Sequence, residues 1–385
     1  MLEFVFALSI FLILYTYAGY PIILAIWVKF KKNRNIQHRL DKPPTVSLLI
    51  SAYNEEDVIV DKIDNLSAMD YPADLIEILI GSDGSNDKTN QILASCTLKN
   101  LKFFPFNIRR GKPAVLNDLA EMATGEILTF SDANSHFFSD TLLALTQPFA
   151  NSAIGGVLGN LSFDSSGPDN PGAMGERIYF NYDNIVKKLE GELYSTIVAN
   201  GAVYAIRREL YIPIPTKRLI MDDMFIPLSI LNQGFDIIFC SEARASELPS
   251  FSLREEFRKK ERVAAGSMEA MRYYTHLLHP KHGFISLALW SHKILRWSIP
   301  VLLFSLFSVN IILINSAPIY QISFILQLSF YILAILGRLL EKRGIKINLL
   351  RLLYYFVVVN LAIVSGFIKF VFGNQKVSWK RTRRK

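Results

Sequence analysis

Cysteine is scarce in this sequence. Cys96 and Cys240 are the only 2 among 385 residues, and their spacing makes neither a zinc-ligand pattern nor a disulfide framework. A reduced, cytosolic setting fits that usage. Histidine offers no metal site either: His136, His276, His279, His282 and His292 form no pair at metal-ligand spacing near another ligand, and are expected at the surface or an interface. Nucleic-acid motifs, internal repeats and low-complexity tracts are all missing. The formal net charge of +8 is therefore assigned to anionic lipid headgroups rather than nucleic acid, because much of it flanks apolar segments.

Charge itself is missing from three stretches: Phe4–Val28, Trp297–Gly337 and Leu352–Ile368. A bilayer span needs about 20 apolar residues. The first stretch supplies one span and the second two, with a turn near Asn315-Ser316-Ala317-Pro318. The third is at the short limit. A cleaved signal peptide is disfavoured for the first, since it starts at Glu3 without a basic stretch and lacks a small-residue cleavage site. Lys29, Lys31, Lys32 and Arg34 follow it, so the positive-inside rule puts the N-terminus outside and the next block in the cytosol. Arg338, Lys342, Arg343, Lys346 and Arg351 suit the return of the second stretch to the cytosol. If Leu352–Ile368 spans, the basic tail Lys380–Lys385 is exported against the rule; otherwise that segment is re-entrant or interfacial. The expected organisation is a membrane helix at 1–30, a soluble domain at 41–283, interfacial and membrane helices at 284–373, and a basic tail at 374–385. The location expected is a multi-pass protein of the cell membrane.

Within the soluble block, Thr45–Ala52 is a continuous apolar strand, and Glu55–Met69 has helical spacing. Strand Leu75–Gly81, a helix from Lys88, strand Leu101–Pro105, helix Lys112–Met122 and strand Gly125–Ser131 follow. This alternation predicts an α/β domain with a parallel sheet covered on both faces, whose ligands bind beyond the C-terminal strand ends.

Polar motifs stand at those ends. Asp83-Gly84-Ser85-Asn86-Asp87 follows a strand, where a carboxylate meets nucleobase or ribose groups or else caps a turn; Tyr53-Asn54-Glu55 on another strand end favours nucleotide binding. Asp132-Ala133-Asn134 presents alternate oxygens, which hard divalent cations prefer. Gly111-Lys112 opens a helix and can set a cation and backbone N–H groups beside a phosphate, whereas Arg109 and Arg110 suit a solvated loop equally. Asp222 and Asp223 form an acidic pair in an apolar stretch: either a general base with its partner or a cap for Met224–Asn232. Arg258–Arg262 lies on a charged helix, either a solvated face or cations for a leaving diphosphate. Phe284–Trp297, carrying Trp290, Lys293, Arg296 and Trp297, is expected as an interfacial helix.

These motifs, in this order over roughly residues 45–270, resemble the membrane-attached branch of glycosyltransferase family 2. The resemblance implies a GT-A fold, a Rossmann-like sheet that binds a nucleotide sugar, and inversion at the anomeric carbon. It implies donor contacts from Ala52, Tyr53, Glu55, Asp83, Ser85, Lys112, Asp132 and Arg262, with a UDP-sugar as the family's usual donor. Asp132 looks like the first carboxylate of the metal motif for Mn or Mg, with Asn134 departing from the usual second one. Asp223 is similar to the catalytic base and Asp222 to its neighbour; Asn200 and Gly201 resemble the acceptor wall. Processive members carry Gln-x-x-Arg-Trp where this chain has Lys259-Lys260-Glu261-Arg262-Val263, so single transfer is preferred over polymer synthesis. The acceptor expected is a lipid-linked sugar or glycan. A processive synthase and a non-catalytic nucleotide-binding membrane protein are the alternatives.

Overall fold

The structure is a computed structural model, and it describes residues 1–31, 40, 42–164 and 167–373. Lys32, Arg34 and the basic tail lie outside the described residues.

Among the described residues, eight strands make one sheet: β1 (Val46–Ala52), β2 (Ile76–Asp83), β3 (Leu101–Phe106), β4 (Ile127–Asp132), β5 (His136–Phe137), β6 (Ile154–Phe163), β7 (Tyr204–Arg207) and β8 (Asp236–Glu247), in the order β3-β2-β1-β4-β7-β6-β8-β5. The first four strands are parallel, as the alternation of strand and helix predicts. The wholly parallel sheet is corrected beyond β4: β7 runs antiparallel to both β4 and β6, and β5 antiparallel to β8. Between β6 and β7 the chain forms one long helix, Pro171–Leu193, and a loop; it does not continue the short β–α units that enforce parallel pairing.

Both faces of the sheet are buried. Leu49, Leu79, Phe130 and Tyr204 pack on one side with helices Lys112–Met122 and Asp222–Asn232. Leu48, Ile50, Ile78 and Ile80 pack on the other. Alternate residues of each strand thus serve opposite cores, which explains the unbroken apolar runs. Register pairs Ala52 with Ser82 and Ser51 with Asp132, so β1, β2 and β4 end level and their following turns share one edge.

Among the described residues, four helices are long and apolar enough to cross a membrane: Leu2–Phe30, Phe284–Leu313, Pro318–Lys342 and Asn348–Phe372. The first contains a π-helical turn at Tyr15–Gly19 and the second one at Leu289–Ile294, joined by a 2.8 Å hydrogen bond between Tyr15 and Ser291. The last helix lies along the soluble domain's helix Leu253–Arg272. Tyr355 donates to Glu256 at 3.0 Å, Ser365 and Lys369 both bond Glu261, and Gly366 lets the two backbones meet against Ala264.

Candidate active site

A cavity of about 600 Å³ opens at the shared strand edge. Its walls include Lys112, Asp132, Asn134, Asn200, Gly201, Asp222, Asp223 and Arg262, gathered from separate parts of the chain. Helix Lys112–Met122 begins directly at Lys112 because Gly111 adopts φ +94°, a left-handed turn that aims the lysine at the strand edge. Its ammonium lies 2.9 Å from Asp132 Oδ1 and 3.2 Å from Asp222 Oδ2. Burial alone would push the ammonium toward neutrality, but Asp132 and Asp222 outweigh it and hold the proton firmly.

The helix Asp222–Asn232 starts at Asp222, not Met224, and neither carboxylate caps it. Both sit in its first turn, where the helix dipole favours negative charge. Their surroundings differ sharply. Asp222 is buried, forms an ion pair with Lys112 and accepts a hydrogen bond from Tyr204 at 3.1 Å. Asp223 faces the cavity, and its carboxylate has no hydrogen-bond or ion-pair partner among the described residues. Burial, then the Asp222 charge, raise Asp223 to about 6.

The residues expected on the nucleotide side cluster at the ends of β1 and β2. Asn54 takes φ +54° and bonds Ser85 and Asn86 across the two turns. Ala52 and Glu55 are buried beneath them, and Glu55 receives its place from a 2.8 Å bond between its N–H and Thr89. Asp83 is also buried, its two oxygens accepting the Arg110 and Gly111 N–H groups at 2.7 Å each. It therefore shapes the loop that carries Lys112. The Arg109 guanidinium lies 3.6 Å above the Tyr53 ring. Ala52, Tyr53, Glu55, Asp83 and Ser85 do not line the cavity; they form its neighbouring shelf.

Asp132 and Asn134 both line the cavity, and each carries a side-chain oxygen able to act as a ligand. No three His, Cys, Asp or Glu side chains converge into a metal cage among the described residues. The pair fits a hard divalent ion whose remaining ligands are waters and substrate phosphate oxygens. Behind Asp132, the buried Lys62 ammonium donates to Ser131 Oγ at 2.8 Å and the Ser135 carbonyl at 2.6 Å, bracing that turn. Its own burial lowers it to about 7, despite Asp132 and Glu247.

Asn200 and Gly201 meet the same strand edge from β7's preceding loop, anchored by a 2.8 Å bond from the Ala199 N–H to the Asp223 backbone carbonyl. A Cβ on Gly201 would come 3.3 Å from Lys112 Nζ. Gly201→Ala is accordingly expected to shift the ammonium and lower kcat about tenfold with little change in melting temperature, as steady-state kinetics beside calorimetry would record.

Two expectations need correction. His292 is neither superficial nor interfacial: it is fully buried, with Nδ1 2.9 Å from Glu190 and Nε2 3.0 Å from Asp183. Phe284–Trp297 does not stand alone as a helix. It is the first half of the continuous apolar helix Phe284–Leu313, and Arg296 turns inward to Asp183 at 2.9 Å. The acidic partners lie on Pro171–Leu193, over a hundred positions away in sequence, so local pattern cannot reveal them.

Residues 47–211 match the sequence profile of Glycosyl transferase family 2. Over 140 residues the chain is 35% identical to the beta-monoglucosyldiacylglycerol synthase of Trichormus variabilis, covering 35% of this chain and 30% of that protein. Over 156 residues it is 26% identical to the poly-beta-1,6-N-acetyl-D-glucosamine synthase of Staphylococcus epidermidis, 37% of each chain. The matches thus span about a third of these relatives' lengths. Among solved structures, the mannosyltransferase PcManGT from Pyrobaculum calidifontis, in complex with GDP-Man and Mn2+, superposes with a TM-score of 0.67 at 19% identity, over 97% of this chain and 100% of that one. That likeness is one of fold. The stretch that matches the glycosyl transferase family 2 profile thus lies in a domain of the GT-A fold, with apolar helices on either side of it.

Proposed function

We propose that this protein is a membrane-bound inverting glycosyltransferase that moves one sugar from a nucleoside diphosphate to a lipid-linked or glycan acceptor. The observation that carries this reading is the unpartnered Asp223 carboxylate, facing a cavity in which Lys112 ties up its neighbours Asp222 and Asp132. Asp223 takes the proton from the acceptor hydroxyl. That oxygen bonds to the anomeric carbon as the carbon–oxygen bond to the diphosphate breaks, and the electron pair leaves with the nucleoside diphosphate. Lys112 and Arg262 supply positive charge where the departing diphosphate gathers negative charge. A divalent ion, when held by Asp132 and Asn134, neutralises the same group.

Single transfer is favoured by Val263, which lines the cavity and gives a sugar ring no aromatic surface to stack on. Three spans and one in-plane helix account for the apolar segments. Helix Asn348–Phe372 turns Tyr355, Ser365 and Lys369 toward the soluble domain, while Leu361, Val364, Ile368 and Val371 stay exposed on one stripe. Crossing the bilayer at right angles would draw the charged helix Leu253–Arg272 in with it, at the cost of burying its ions. Lying at the inner-leaflet boundary, the helix keeps the basic tail in the cytosol.

Release of nucleoside diphosphate from a panel of nucleotide sugars, in nanodiscs with manganese, magnesium or chelator, tests the reading. One donor is expected to turn over, and chelation to suppress it. No turnover with any donor, together with no nucleotide binding, would sink the proposal.

A further inference from the structure

The cavity does not end at Asp223. It continues to a second end lined by Tyr179, Asp183 and Lys187 of helix Pro171–Leu193, by Asn200, and by Lys293. This end lies where the soluble domain meets the apolar helices. Tyr182, on the same helix, donates to the carbonyl oxygens of Thr16 and Tyr17 at 3.3 and 3.1 Å, and Lys293 belongs to the π-helical turn that leads into the apolar run below.

Charge pairing here leaves a surplus. Asp183, the acidic side chain at this end, is already shared by Lys187 at 2.8 Å, Arg296 at 2.9 Å and His292 at 3.0 Å. Lys187 also donates to Asn200 Oδ1 at 2.6 Å, which fixes the amide so that Nδ2 is the group left over. Asn200 is 6% exposed, and that Nδ2 has no hydrogen-bond partner. Lys293 likewise makes no hydrogen bond or ion pair among the described residues. Two donors on cavity-lining residues, one of them cationic, thus stand without acceptors. A buried donor left without an acceptor is costly, so such a pair marks the place of a ligand oxygen. Lys293 and Asp223 line the same cavity, and the Lys293 charge favours the ionised form of Asp223.

We infer that this end binds the phosphate of an anionic lipid acceptor, with Lys293 and Asn200 Nδ2 holding phosphate oxygens while the hydroxyl of the same lipid reaches Asp223. The inference rests on the glycosyltransferase reading for the transfer step, but its binding half stands alone. The phosphate is that of a glycerophospholipid headgroup or of a polyprenyl diphosphate-linked sugar; both enter from the leaflet and present the same oxygens to the same donors. A neutral diacylglycerol offers no such oxygens.

Equilibrium binding to the solubilised full chain tests the inference without turnover. The probes are short-chain phosphatidylglycerol, farnesyl diphosphate-linked N-acetylglucosamine and short-chain diacylglycerol. At least one phosphate lipid is expected to bind about 10- to 100-fold more tightly than diacylglycerol, the range of a charge-assisted hydrogen bond. Which of the two binds names the source. Lys293→Gln is expected to erase that preference and Lys293→Arg to keep it. With labelled donor, the same lipid should show a raised acceptor KM in Lys293→Gln while the donor KM holds. Equal binding of all three lipids by the wild type would overturn the inference, as would a Lys293→Gln variant that shifts only the melting temperature. Should Lys293→Gln not fold, the wild-type preference and Asn200→Asp, whose added negative charge repels phosphate, decide between the two outcomes. Failure of the glycosyltransferase reading shows itself separately, as phosphate-lipid binding intact with no donor turned over.

Discussion

Asp223→Asn is expected to lose about 10²–10⁴-fold in sugar transfer, the usual worth of a general base, while donor affinity stays close to wild type. The same change should raise stability at neutral pH. Burial and Asp222 hold the Asp223 proton up to about 6, above its ordinary 3.8. The folded state therefore binds more protons than the unfolded chain between about pH 4 and 6, and stability falls as pH rises through that window. Asparagine removes the cost, by roughly 1–3 kcal/mol at pH 7. Calorimetry should find the variant melting higher than wild type at pH 7 and alike near pH 4. For the wild type, kcat/KM should rise with pH through about 6, since only the carboxylate accepts a proton. A variant as active as wild type would remove the base assignment.

Lys112→Met is expected to cost both activity and stability. One ammonium bridges Asp132 and Asp222, and Asp222 is buried. Without it two carboxylates face each other across the cavity, and breaking a buried pair in this way costs roughly 3 kcal/mol. The leaving diphosphate loses a cation as well, so kcat should fall about 10²–10³-fold. Lysine must be neutralised by the acids for folding and yet be available to phosphate for catalysis. Saturating donor is therefore expected to raise the melting temperature of the wild type and to leave that of the variant nearly unchanged. Thermal shift with and without donor separates the two roles: equal donor stabilisation in both proteins would place Lys112 outside the diphosphate site.

The strand ends and their motifs are legible in the sequence because β1, β2 and β4 are continuous apolar runs broken by polar turns. Helix Lys112–Met122 is legible at both boundaries, since Gly111 and Pro113 mark its start. The helix expected over Glu55–Met69 begins only at Ile59, because Asn54 turns left-handed and Glu55 is spent in a tight turn. The antiparallel β7 is hidden: four residues between loops carry too little periodicity to reveal direction. Lys62, Lys187 and Tyr204 are hidden for another reason. Each is a polar side chain on an otherwise ordinary element, and only its long-range partner (Ser131, Asn200, Asp222) shows what it holds. Lys187 and Asp183 stand one helical turn apart, which is the one local signal available.

The two π-helical turns bear on how the apolar helices face their neighbours. Below them, Phe6 packs on Leu306, Val309 and Leu313, helix against helix. Above them, Tyr20 and Leu24 pack on Val186 and Leu193, with Phe284 against the same cluster, and within the second turn His292 reaches Asp183 and Glu190. A helix repeats every 3.6 residues, so one surplus residue rotates everything beyond it by about 100°. Each helix thus changes phase at the same height, pinned by Tyr15 and Ser291. The pair works as a gear shift between two environments: it lets the same two rods mesh with one another at one end and with a folded domain at the other, at the cost of a register that tolerates no single-residue slip.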